Sequence, residues 1–272
     1  MHTQVANQVS VNHKPRIIAV TNQKGGVGKT TTAINLATAL ASTLKKVLII
    51  DLDPQGNAST GLGIPMRKRK FSTYDIMINN ANPKQAILNT AIMGLDIIPS
   101  SADLSGAEIE LIHMEDREFS LERAIIPLYG DYDYILLDCP PALNLLTINA
   151  LVASQSLIIP LQCEFFALEG ISFLIRSIDR IKKSLNPSLE INGIILTMYD
   201  KRNNLSKHVA NDVRNVFGNK VFNTMIPRNV RISEAPSYGK PILIYDHRSA
   251  GANAYIKLAS EFIKREENAA HD

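Results

Sequence analysis

The sequence predicts an α/β fold, a doubly wound and mostly parallel sheet flanked by helices. Short apolar runs alternate with longer segments of helical spacing. The apolar runs lack polar alternation, which fits strands buried on both faces. The alternation of the two patterns supplies the crossovers that parallel strands require. With 272 residues, 45% of them hydrophobic, the chain can bury a large core. A charged fraction of 20% argues against disorder.

Taken in chain order, Met1 to Pro15 is polar and lacks the apolar stretch of a secretory signal, so residues 1–15 are expected to be a flexible N-terminal tail. Strands are expected at Ile17–Thr21, Val47–Asp51, Asp96–Pro99, Tyr134–Asp138, Ser156–Pro160 and Ile191–Thr197. Helical spacing covers Thr30–Leu44, Leu143–Ala153, Leu168–Ser184 and Leu205–Phe217. A last helix, about Ala252–Glu267, places Tyr255, Leu258, Ala259 and Phe262 on one face, as a docked helix does. No repeat or low-complexity linker interrupts the pattern, so residues 16–267 read as a single domain and 268–272 as a C-terminal tail. No apolar run approaches the roughly 20 residues that span a bilayer. Cys139 and Cys163 form no CxxC pair, which argues against a structural zinc site or redox dithiol and for reduced thiols in a cytoplasm.

The first strand runs into Asn22-Gln23-Lys24-Gly25-Gly26-Val27-Gly28-Lys29-Thr30-Thr31, and a helix follows. Three glycines let the backbone bend so that its N–H groups meet phosphate oxygens. The helix starting near Lys29 adds the positive end of its dipole. Lys29 can reach the β- and γ-phosphates, and the Thr30 hydroxyl can ligate Mg²⁺. The ordinary motif needs a glycine where Gln23 stands, so the loop departs from it and carries an extra lysine, Lys24; a P-loop NTPase with a deviant Walker A is expected.

Two acidic strand ends complete the pattern. Val47–Asp51 is followed by Leu52-Asp53-Pro54-Gln55-Gly56-Asn57, with Asp51 and Asp53 at the spacing that shares a face in an extended chain. Another strand ends in Asp138-Cys139-Pro140-Pro141. In open α/β sheets ligands sit at the carboxyl ends of strands, so the loop, Asp53 and Asp138 should meet there. Asp138 is expected to hold the magnesium through water.

These segments closely resemble the ParA family of partition ATPases, within the larger group that includes MinD and the nitrogenase iron protein. Lys24 to Thr31 resembles the family's deviant Walker A, Asp51 to Asn57 its switch I, and Asp138 to Pro141 its Walker B. Residues 226–236 and Gly239-Lys240-Pro241 resemble a late segment of the chromosomal, Soj-like branch. The resemblance runs from about Arg16 to Phe262. It implies Mg²⁺-dependent hydrolysis of ATP and an ATP-bound sandwich homodimer. In that dimer Lys24 crosses to the partner's nucleotide, Gly25 allows close approach, and Asp53 positions the attacking water. It further implies that Pro227 and Asn229 lie near the adenine, and that Arg202 and Arg231 grip double-stranded DNA of any sequence. A ParB-type centromere-binding protein would stimulate hydrolysis. The protein would then be cytoplasmic and nucleoid-associated, serving chromosome or plasmid segregation.

Charge distribution agrees in sign. Residues 1–170 carry 13 basic and 16 acidic side chains, and residues 171–272 carry 16 and 10. A basic C-terminal part suits a polyanion, while the sparse aromatic residues argue against base stacking. The separate run Arg67-Lys68-Arg69-Lys70 reads as a solvated loop. Two other readings make different demands. A MinD-like membrane-positioning ATPase wants a basic amphipathic C-terminal helix, but Tyr255–Asp272 mixes Lys257, Lys264 and Arg265 with Glu261, Glu266 and Glu267, so no stable membrane association is expected. An iron–sulfur carrier wants cysteines at cluster spacing, which Cys139 and Cys163 lack. His113, His208 and His247 are scattered and read as surface or packing residues. Met198 and Tyr199, at a strand end, could pack against a base or belong to the core.

Overall fold

The computed structural model describes residues 14–269. Its seven strands are β1 (Arg16–Val20), β2 (Val47–Asp51), β3 (Leu88–Asn89), β4 (Leu95–Ile98), β5 (Tyr134–Asp138), β6 (Ser156–Gln162) and β7 (Glu190–Thr197). They form one sheet in the order β3-β4-β2-β5-β1-β6-β7. All neighbours run parallel except β3, which pairs antiparallel with β4 at the edge. In chain order the helices are α1 (Lys29–Ala41), α2 (Asn57–Gly61), α3 (Thr73–Met77), α4 (Pro83–Ala86), α5 (Leu104–Leu111), α6 (Ser120–Ile125), α7 (Leu145–Ala153), α8 (Ala167–Ser184), α9 (Asn204–Phe217), α10 (Val230–Glu234), α11 (Ile242–Tyr245) and α12 (Ala250–Ala269).

Both faces of the central strands are covered. Ile17, Ala19, Leu48 and Ile50 join one apolar cluster, while Ile18, Val47 and Ile49 join a second on the opposite face. Successive side chains of a strand point to opposite faces, so a strand must be apolar throughout when both are buried. Tyr255, Leu258, Ala259 and Phe262 of α12 are buried in the second cluster, which α1 also lines through Ile34, Leu36, Ala37 and Leu40. Among the described residues no helix is long and apolar enough to cross a membrane.

Several boundaries differ from the sequence expectation. Helix α1 stops at Ala41 because Leu44 adopts a left-handed φ of 63° and turns the chain into β2. Strand β3 went unforeseen, since two residues carry no periodicity. The short helices α2 to α6 lacked sequence counterparts for the same reason: none exceeds eight residues. Helix α12 runs to Ala269, past the expected boundary at 267. Of the two expected tails, residues 1–13 and 270–272 lie outside the described residues. Within the first, the Lys14 ammonium stands 5.6 Å from the Tyr129 ring centroid.

Register positions the site. Val20 and Asp51 are both paired with Asp138, so β1, β2 and β5 end level with one another. Strand β1 has β5 on one side and β6 on the other, with β2 beyond β5. The first connection and the later strands therefore leave β1 in opposite directions, which opens a crevice at its carboxyl end.

Candidate nucleotide-binding site

The loop leaving β1 is fastened at three points. Asn22 Nδ2 donates to the Pro160 carbonyl at 2.8 Å, which holds the first arm to β6. Asn22 Oδ1 accepts the Lys24 N–H at 3.0 Å. Thr197, the last residue of β7, donates its hydroxyl to the Val27 carbonyl at 2.8 Å. Gly26 and Gly28 take φ of 74° and 91°, a region that side chains with a Cβ rarely adopt. Gly28 caps α1, so the first N–H groups of that helix, which have no intrahelical partner, open into the crevice.

A cavity of about 460 Å³ sits there, lined on one side by Gly25, Gly26, Gly28, Lys29, Thr30, Thr31 and Asp53. Val27 belongs to the same loop but is buried beneath it. Lys29 is buried as well, and its Nζ donates to the Lys24 carbonyl at 3.0 Å. Burial lowers its pKa, and attraction from Asp138 opposes that shift.

Asp138 is fully buried, and neither carboxylate oxygen has a hydrogen-bond partner. Burial pushes its pKa well above the usual carboxylate range, and repulsion from Asp51 adds to the shift. The Thr30 hydroxyl, outside hydrogen-bonding geometry, and the Lys29 ammonium pull the other way. A buried carboxylate without a donor is costly, and a hydrated divalent cation is a fitting partner. Among the described residues no group of three or more His, Cys, Asp or Glu side chains could hold a metal by itself. The donor set of Thr30 and Asp138 therefore fits a hard ion that keeps its waters and shares a phosphate ligand, as Mg²⁺ does.

The structure separates the two acidic residues after β2. The strand ends at Asp51, and the chain turns back so that the Asp53 N–H donates to Asp51 Oδ1 at 3.2 Å. The alternation that predicted a shared face stops there. Asp51 is fully buried and accepts the Ser59 N–H at 2.9 Å and the Ser59 hydroxyl at 2.6 Å. Burial raises its pKa to about 6, against these hydrogen bonds. Asp53 instead lines the cavity, with Oδ1 accepting the Gln55 N–H at 3.0 Å.

Lys24 points elsewhere within its own chain. Its half-exposed ammonium pairs with Glu164, just beyond β6. The opposite wall of the cavity comes from Ile232, Ala235, Pro236, Lys240 and Pro241. It is tied to α1 where Asn35 Oδ1 accepts the Ile242 N–H at 2.8 Å. Pro227 and Asn229 line an adjoining hollow of about 280 Å³ together with Gly28, Thr31, Thr197 and Met198. Asn229 Oδ1 also caps α10 by accepting the Arg231 N–H. Met198 adopts a left-handed φ of 50° and lines both cavities.

Arg202 and Arg231 line neither cavity. Arg202 pairs with Asp200 at 3.0 Å, and its hydrogen bonds hold that carboxyl down to about 2. Arg231 pairs with Glu234 at 3.0 Å and Asp246 at 3.7 Å. Cys139 and Cys163 are buried free thiols, and burial pushes both upward, Cys163 to about 11. Sequence reasoning missed Asn22, Thr197 and Glu164. A polar residue closing an apolar strand was the available signal for Thr197, as it was for Asp51 and Asp138.

Comparison with known proteins agrees with this geometry. The model of an AAA domain matches residues 15–191. The chain is 57% identical over 253 residues to chromosome partitioning protein ParA of Caulobacter vibrioides, covering 92% of this chain and 95% of that protein. It is 52% identical over 246 residues to sporulation initiation inhibitor protein Soj of Bacillus subtilis, covering 90% and 97%. Cobyrinic acid a,c-diamide synthase from Mycobacterium smegmatis, solved with bound ADP and magnesium, superimposes with a TM-score of 0.83 at 35% identity, covering 94% of this chain and 96% of that one. A loop, two acidic strand ends and a doubly wound sheet therefore coincide with extensive identity along nearly the whole chain: it belongs to the ParA family of chromosome-partitioning ATPases.

Proposed function

We propose that the protein hydrolyses ATP to ADP and phosphate with Mg²⁺, and uses that cycle to partition DNA. One observation carries the reading: the Asp138 carboxylate, buried and without a donor, ends level with a P-loop whose free N–H groups, Lys29 and Thr30 face the same cavity as Asp53. The N–H groups of Gly26 to Thr31 and the Lys29 ammonium bind the phosphates. Thr30 and, through water, Asp138 hold the metal, which when bound neutralises charge developing on the transferred phosphoryl group. Asp53 orients the attacking water from the cavity wall.

Lys24 is the residue whose position changes most in this reading. In the single chain it is held by Glu164. In an ATP-bound sandwich homodimer it leaves that carboxylate for the partner's triphosphate, with Gly25 admitting the second backbone: a Cβ added there meets only Pro141, at 3.9 Å. Hydrolysis then removes the group that held the pair together. The dimer binds double-stranded DNA without sequence preference through Arg202 and Arg231, whose present partners are partly buried carboxylates at the surface that phosphate can replace. A ParB-type protein stimulates turnover, and the protein works in the cytoplasm on the nucleoid. The MinD-like membrane reading has less support, because the apolar face of α12 is already buried on the domain.

The test compares wild type, Lys24→Ala and Asp53→Ala for ATP-dependent dimerisation by light scattering, binding to unrelated duplexes with ATP or ADP, and turnover. Lys24→Ala should stay monomeric with ATP. Asp53→Ala should dimerise and hold DNA while turnover falls about a hundredfold or more, the range of a lost positioning group. Unchanged pairing and turnover in Lys24→Ala, or equal DNA affinity of wild type in both nucleotide states, would overturn the reading.

A further inference from the structure

The basic run after switch I is not simply a solvated loop. Arg69 folds inward: its guanidinium donates to the Ile64 carbonyl at 2.8 and 3.2 Å, the Thr60 hydroxyl at 3.0 Å and the Ser100 carbonyl at 3.4 Å. It also lies against Gly56, where an added Cβ would come within 2.5 Å of Nη1. Gly56 precedes α2, and α2 residues Asn57, Thr60 and Gly61 line the nucleotide cavity. The same short helix is held from below by the Ser59 bonds to Asp51. Arg69 is thus a strut between the cavity wall and the loop that carries its neighbours.

Those neighbours point outward. Arg67, Lys68 and Lys70 are exposed and, among the described residues, make no ion pair. No acidic residue occurs between Asp53 and Asp75. The loop abuts a second segment without acids, residues 235–245: an added Cβ on Gly239 would stand 2.8 Å from Gly63 Cα. That segment contributes Lys240. Arg202 and Arg231, by contrast, are each tied to a carboxylate. The 67–70 loop is therefore an unneutralised positive surface near the nucleotide cavity, beside exposed Lys240 of the cavity lining and Arg228 of the adjoining hollow, and it is presented on a braced backbone.

We propose that Arg67, Lys68 and Lys70 form a further grip on duplex phosphates, coupled by Arg69 to the cavity-lining helix α2 and so to nucleotide state. This rests on the reading that the ATP-bound protein binds DNA without sequence preference. An anionic membrane is the less favoured occupant. Membrane adsorption draws on an amphipathic helix with a continuous apolar face. Here Arg67 and Lys68 sit on a single three-residue turn, Met66–Lys68, with Lys70 just beyond it, and the exposed apolar neighbours are Met66 and Phe71, which is 40% exposed.

The test titrates unrelated duplexes with the full chain in ATP across a salt series, for wild type, a triple Arg67→Gln/Lys68→Gln/Lys70→Gln variant, and an Arg202→Ala/Arg231→Ala variant. Matching thermal midpoints establish that the variants fold. The triple variant should weaken binding to every sequence alike, and its plot of log affinity against log salt should be shallower by about 1 per cation removed. Arg69→Lys, which keeps the charge and loses the fork, should narrow the affinity ratio between ATP and ADP. A triple variant with the wild-type affinity and slope overturns the proposal while leaving the partition reading intact. Wild type that binds no duplex in ATP sinks the parent reading and this one with it. Loss of binding to phosphatidylserine vesicles, with duplex binding unchanged, overturns it in favour of a membrane surface.

Discussion

The two walls of the nucleotide cavity are built on different principles. The phosphate wall is made of strand ends and one loop: β1, β2 and β5 stop level, the chain after β1 forms the loop, and the chain after β2 brings Asp53 to the cavity. Its function depends on backbone N–H direction and fixed charge. The opposite wall, residues 226–242, consists of short helical turns held by packing, by Asn35, and by the close approach of Gly63 and Gly239. The phosphate wall is placed by the register of the sheet. The late wall is placed only by what it touches, so changes in the two should separate phosphate binding from wall placement.

The largest effect expected is that of Lys29→Ala, which removes a buried cation of the phosphate wall. Nucleotide affinity measured by calorimetry should fall at least a hundredfold, since hydrogen bonds to charged groups contribute about 1.5–3 kcal/mol each and Lys29 offers several donors. Retained affinity would mean that the late wall dominates binding. Gly239→Ala addresses that wall directly. A left-handed backbone costs a non-glycine residue about 1–2 kcal/mol, and the contact with Gly63 adds to it. The thermal midpoint should drop by several degrees, and the order of the two effects on affinity should be Lys29→Ala first.

A third test exploits pH. Burial raises Asp51 to about 6, so between the ordinary carboxylate range and that value the folded chain holds a proton that the unfolded chain has released. The stability tied to this proton is complete below about pH 4 and is lost as pH rises through about 6. The loss is on the order of 2–3 kcal/mol at 1.36 kcal/mol per unit. Urea unfolding of wild type and Asp51→Asn across this window should show the steeper fall in wild type; parallel curves would refute a charged, buried Asp51. The smallest expected effect is that of Thr197→Val, which keeps shape and loses one hydrogen bond to the Val27 carbonyl. A cost of about 1 kcal/mol corresponds to a several-fold weaker nucleotide affinity.

The contrast between the walls also explains how much could be read from sequence. Ile17 to Val20 and Val47 to Ile50 are apolar at every position because two faces are covered, and that pattern is local. Gly28-Lys29-Thr30 announces a phosphate loop because each residue type answers a backbone or charge requirement within a few positions. Pro227, Asn229 and Lys240 announce nothing by themselves. Resemblance suggested a place for Pro227 and Asn229 near a base, and the structure sets them beside Gly28 and Thr31. Asp51 misled because strand alternation was extended past the end of β2, where the chain turns.

The amino-acid sequence by itself determined the parallel sheet, the loop, the acidic strand ends and the docking of α12, since all of these are written in short-range periodicity and residue chemistry. Tertiary structure decided which carboxylate faces the cavity and which is buried beneath it. It also decided that Asp138 is left without a donor, that Lys24 rests on Glu164, and that Arg69 turns inward while its neighbours stay exposed. The reason is that partners far apart in the chain meet only after the sheet closes, and an isolated segment carries no record of what will stand opposite it.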